Sequence, residues 1–138
     1  MLGAVEREYD EAGNITYEKY YGPDGAPTVT EKGYGAIRRE FNEQKKVTFE
    51  AWYDMDGQPM AMNGDTYYAV RREYDEAGNI IYEQYFDAEG QPAAKTQGYG
   101  AIRREFNEQK KVIFEAWYDT EGQPMAMNGS TYYERRRE

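Results

Sequence analysis

Four glutamates each stand two residues before an aromatic ring: Glu18–Tyr20, Glu50–Trp52, Glu83–Tyr85 and Glu115–Trp117. In an extended strand that spacing puts carboxylate and ring on one face. A ring presented to the apolar C–H face of a sugar, with the carboxylate on its hydroxyls, makes a carbohydrate site. The same spacing also suits a purely structural pair, with the glutamate on an arginine and the ring packed on a neighbouring repeat. The sequence leaves both readings open.

Paired carboxylates also carry glycoside hydrolysis, but that chemistry needs one acid and one base set apart by their surroundings. Every pair here has the same neighbours, so no catalytic residue and no enzyme activity are expected. Asp54-Met55-Asp56-Gly57 begins like a calcium loop. It lacks the remaining ligands and the closing glutamate. Its counterparts at 22–25, 87–90 and 119–122 share only a glycine followed by Ala-Pro or Gln-Pro, which is turn chemistry. No metal and no cofactor are expected. Met60-Ala61-Met62 and Met125-Ala126-Met127 place two methionines on one side of an extended segment, suited to packing on the next unit or to a peptide surface.

The chain contains no cysteine and no histidine. Disulfides, thiolate chemistry, Cys/His zinc sites and histidine acid–base catalysis are therefore excluded. A net charge of −9 argues against a nucleic-acid partner and against an anionic membrane surface. Arg135, Arg136 and Arg137 form the one basic run. No signal peptide and no stretch of membrane-spanning length is visible, so membrane insertion is not expected. Leu2 is the sole leucine, whereas tyrosine occurs 15 times in 138 residues. Such a composition suits thin sheets faced with aromatic rings.

These residues recur because the chain does. Residues 6–70 align with 71–135 without a gap, and 46 of the 65 pairs are identical. Each block divides again: Arg7-Glu8-Tyr9-Asp10 returns at 39–42, 72–75 and 104–107, in steps of 32, 33 and 32 residues. A repeat architecture is the consequence. Its units run at about 4–35, 36–68, 69–100 and 101–133 in an ABAB pattern, with a capping strand at 131–138. Within a unit come a short run such as 37–41, a polar turn, a second run such as 47–53, a turn of the form Asp-x-x-Gly-Gln-Pro, and a looser link containing Asn63-Gly64 or Asn128-Gly129.

Val47, Phe49, Ala51 and Tyr53 alternate with Thr48, Glu50, Trp52 and Asp54, the period of a strand. Asp10-Glu11-Ala12-Gly13-Asn14 reads as a type I turn with a left-handed glycine. Lys45 and Lys110 replace that glycine in the second and fourth units, at a cost of about 1 kcal/mol. Residues 37–46 also have helical propensity. The hairpin is preferred because the equivalent segments of units one and three carry Gly-Asn-Ile.

The turn predicts Phe41 opposite Val47. Carried along the hairpin without a break, it predicts Arg39 opposite Phe49 and Ile37 opposite Ala51 on the core face. Arg38 then faces Glu50, Arg71 faces Glu83, Arg103 faces Glu115, and Glu6 faces Glu18 as a like-charge pair. One hairpin is not stable alone, whereas stacked hairpins bury a continuous strip. Arg135 stands where the third unit has Val70, as a polar cap would require.

Tyr9-Asp10-x-x-Gly13-Asn14-Ile15 and Tyr74-Asp75-x-x-Gly78-Asn79-Ile80 resemble the bacterial YD repeat of the Rhs family. The Gly-Tyr-Gly and Gly-Gln-Pro elements are similar to aromatic hairpin repeats of cell-wall-binding proteins. The resemblance implies a non-enzymatic bacterial repeat module, surface-attached or secreted, and transfers no catalytic residue. The sequence thus predicts an all-β, open, solenoid-like array of four hairpin units. The expected function is recognition of an envelope or extracellular glycan through the Glu/aromatic face. The rival is a purely structural scaffold, natural or built by duplication, without a ligand of its own, or one that self-associates through its unpaired end strands; the partner is a glycan or a protein.

Overall fold

The alternating runs form strands. A computed structural model describes residues 2–61 and 65–126, and 134–136 as backbone. The strands are β1 (Ala4–Tyr9), β2 (Ile15–Tyr21), β3 (Ala36–Phe41), β4 (Val47–Tyr53), β5 (Ala69–Tyr74), β6 (Ile80–Phe86), β7 (Ala101–Phe106), β8 (Val112–Tyr118) and β9 (Glu134–Arg136). They lie in sequence order across one open antiparallel sheet. The protein is all-β. The Asn-Gly links, Met62, Met127 and Thr131-Tyr132-Tyr133 lie outside the described residues.

The same polar turn closes each hairpin. In the first, the Asp10 carboxylate accepts the Ala12 and Asn14 amides at 3.0 and 2.9 Å, and Gly13 takes φ +89°. In the second, the Asn42 side-chain oxygen accepts from Gln44 and Lys46, and Lys45 adopts φ +63°. The lysine therefore keeps the glycine's backbone. Its ammonium donates to the Ala12 carbonyl of the preceding turn at 3.0 Å, and Lys110 does the same to Ala77 at 3.1 Å. The strained residue thus ties two hairpins together.

The pairing differs from the unbroken register. Phe41 does face Val47, but a bulge comes next and Glu40 faces Phe49. Thr48 is the extra residue, and all later partners move by one. Arg39, not Arg38, faces Glu50, and Ile37 faces Trp52 instead of Ala51. Likewise Arg72 faces Glu83 and Arg104 faces Glu115. In the first hairpin Arg7 faces Glu18, and Glu6 faces Lys19, so the expected like-charge pair does not form.

This shift moves the core to the tryptophan side of the sheet. Ile37, Trp52, Val70, Tyr85, Tyr99, Ile102 and Trp117 form one buried cluster, against which Tyr34, Met60, Tyr67 and Met125 pack. The links cover it. Met60 N–H donates to Trp52 O and Met125 N–H to Trp117 O, each at 3.0 Å. Gly35 permits the tight entry into β3, because a Cβ there would lie 2.5 Å from the Met55 Cα. At the far end the backbone register puts Arg135 opposite Glu115, where β4 puts Glu50 opposite Val70.

Candidate functional site

The bulged register builds diagonal rows across the strands. One runs Arg7–Glu18–Ile37–Trp52, the next Arg39–Glu50–Val70–Tyr85, the third Arg72–Glu83–Ile102–Trp117. A fourth begins Arg104–Glu115 and ends on Arg135 of β9. Each Glu/aromatic pair named from the sequence does share a face, but glutamate and ring belong to adjacent rows.

The carboxylates are held on both oxygens wherever both partners are described. Glu18 takes Arg7 Nε at 2.7 Å and the Tyr20 hydroxyl at 2.9 Å. Glu83 takes Arg72 Nε at 2.7 Å and the Tyr85 hydroxyl at 3.0 Å. Trp52 has no hydroxyl, and Glu50 instead takes Arg39 Nε and Arg72 Nη1, each at 2.9 Å. Arg72 therefore bridges Glu50 and Glu83 across the middle of the sheet. Arg104 Nε donates to Glu115 Oε2 at 3.1 Å. Two chemistries thus alternate, a tyrosine hydroxyl in one unit and the next unit's arginine in the other.

Burial disfavours the charged form of Glu50, but the hydrogen bonds and charges of Arg39 and Arg72 outweigh it and hold the carboxyl below the usual range. Glu18 is lowered in the same way, burial opposing and Arg7 and Tyr20 prevailing. Burial raises the Tyr20 and Tyr85 hydroxyls well above their ordinary range, helped by the glutamates they donate to.

The four rings are covered. Exposure is 6% at Tyr20, 5% at Trp52, 2% at Tyr85 and 6% at Trp117. Tyr67 stacks edgewise on Trp52 at 5.9 Å and tilts on Tyr85 at 4.9 Å, while Tyr99 meets Tyr85 at 6.0 Å. Lys95 lies within 6 Å of the Tyr67, Tyr85 and Tyr99 ring centres, at 5.7, 5.1 and 5.9 Å, and 3.8 Å from Asp65. This cation fills a tyrosine cage at the centre of the covering layer. The turn at Asp54 is equally committed: its carboxylate accepts the Asp56 and Gln58 amides at 2.9 Å.

The opposite face carries a second set of rows that the unbroken register conceals. Glu8, Tyr17 and Arg38 are in line, as are Glu40, Phe49 and Arg71, and Glu73, Tyr82 and Arg103. Arg38 lies 4.7 Å over the Tyr17 ring and 4.0 Å from Glu8. Arg71 lies 5.0 Å over Phe49 and 3.8 Å from Glu40. The ring that the unbroken register set opposite Arg39 is thus covered by Arg71, and Arg38 covers Tyr17 in the same way. A bulge placed after the turn would have revealed it.

No protein-family model matches the chain, and no curated protein matches it. Among the described residues no helix is long and apolar enough to cross a membrane.

Proposed function

We propose that the chain is a non-enzymatic repeat module, an open array of four hairpin units in ABAB order whose role is to build an extended scaffold. The carrying observation is that Glu18, Glu50 and Glu83 each have both carboxylate oxygens engaged by this chain's own arginines and tyrosines. A glycan on those pairs would have to displace both the ion pairs and the links over the rings. The same arrangement recurs along the chain, which suits architecture better than a unique reaction centre.

Stability and binding separate the two readings. Trp52→Ala removes a large side chain from the cluster and is expected to cost about 3–5 kcal/mol in urea unfolding. Trp52→Phe keeps the packing nearly filled and is expected to leave the response to glycans unchanged. Loss of saccharide binding in Trp52→Phe, with stability retained, would return the ligand role to the Glu/aromatic pairs.

A further inference from the structure

The row Glu73–Tyr82–Arg103 does not lie on a flat surface. Together with Ile81, Glu105 and Tyr118 it lines a groove of about 550 Å³ on the face opposite the buried cluster. That volume lies within the roughly 300–1,000 Å³ of small-molecule sites. The pairings place these groups together: Glu73 faces Tyr82, Tyr82 faces Arg103, and Ala101, two residues before Arg103, faces Tyr118. Burial, together with the nearby charge of Glu73 and the nearby Tyr118, holds the Tyr82 proton more tightly than usual. Tyr82 thus presents a protonated hydroxyl beside its apolar ring face.

We propose that this groove binds a pyranose ring of a neutral saccharide. A tyrosine ring offers the flat apolar surface that the axial C–H groups of a sugar cover. Glu73 and Arg103 offer an acceptor and a fork of donors to its hydroxyls. Arg103 and Arg104 balance the carboxylates of Glu73 and Glu105 in the lining, and Arg104 is itself paired with Glu115, so in a chain of net charge −9 the groove suits a neutral sugar better than an acidic one. Repetition supports a polymeric ligand. Glu8, Tyr17, Arg38, Arg39, Glu40, Tyr53 and Gly57 stand 65 residues earlier, and of the eight groove positions only Thr16 differs, standing where the groove has Ile81. Four strands separate the two sets, or about 19 Å at ~4.8 Å per strand. A polymer long enough to reach both gains by effective concentration. In the first set Arg38 lies on the Tyr17 ring, and a sugar there would take the guanidinium's place.

The test is calorimetric titration of the whole chain with three probes, maltohexaose, cellohexaose and chitohexaose. Saturable binding of at least one is expected. It should weaken more than tenfold in Tyr118→Ala and in Arg103→Ser, and leave Trp52→Phe unaffected. Arg103 is exposed, so its variant keeps the fold, checked by an unchanged far-ultraviolet spectrum. Binding of none of the three hexasaccharides, or binding that survives both groove variants, would overturn the proposal. Neither outcome bears on the scaffold reading, which is tested by stability.

Discussion

Glu50 is the residue on which two hairpins meet. Its partners Arg39 and Arg72 come from different units, and its side chain keeps 15% exposure. Breaking a fully buried pair costs roughly 3–5 kcal/mol, whereas exposed pairs are worth ~1 kcal/mol or less. For this partly covered network, Glu50→Gln should cost about 2 kcal/mol in urea unfolding. The pH dependence has a defined sign. The folded Glu18 and Glu50 carboxyls titrate below the ordinary value of 4.5, so the unfolded chain binds more protons as pH falls through that value. Their contribution is complete above about pH 4.5 and is lost as pH falls towards their folded values. At the alkaline end Tyr20 and Tyr85 are raised above 10, so the folded chain keeps protons that the unfolded chain releases. That contribution is present below pH 10 and declines above it. Urea midpoints between pH 3 and 11 should trace a plateau with two falling limbs, and Glu50→Gln should flatten the acid limb. An acid limb unchanged in Glu50→Gln would separate the carboxylate from the stability it is held to supply.

At the scale of the hairpin, the strands were legible in the sequence and the register was not. Period two in 47–53 marks a strand whatever its partner, and the polar turn fixes Phe41 against Val47. Every later pairing depends on a bulge at Thr48, which no residue type announces: the equivalent positions hold Thr16, Ile81 and Ile113, all acceptable in a regular strand. One skipped residue turned the second strand of each hairpin over, so that Trp52 and not Ala51 meets Ile37 in the core, and transferred each ion pair to the neighbouring arginine. The pairing of Glu with Arg was therefore expected in kind and misplaced in position. The lysine turns offer a direct test. Lys45→Gly relieves a left-handed lysine, worth about 1 kcal/mol, and forfeits an exposed hydrogen bond to Ala12 worth less. The variant should be slightly more stable, by about 0.5 kcal/mol, against the usual cost of introducing glycine. A loss of stability would show that the bond between turns outweighs the strain.

Across the whole sheet, protection rises away from the first strand. Val70 and Tyr85 are 0% and 2% exposed, and Arg72 joins the carboxylates on either side of it. By contrast β1 is exposed along its length and pairs on one side only. Its row starts at Val5 opposite Tyr20. Hydrogen exchange should therefore be slower in β5, β6 and β8 than in β1, with a graded rather than all-or-none profile. Equal protection of β1 and β5 amides would contradict a sheet stabilised by neighbour contacts. Glu6, Arg7 and Glu8 place charge along the free edge, which opposes pairing with a second sheet.

The internal place of the Glu/aromatic rows is tested most directly by acrylamide quenching of tryptophan emission, since Trp52 and Trp117 are the two indoles of the chain. At 5% and 6% exposure both should resist quenching in the folded protein and become freely quenched in urea, with the same midpoint as loss of the sheet. Quenching of the folded protein at the level of the unfolded chain would place the rings on the surface and contradict the scaffold reading.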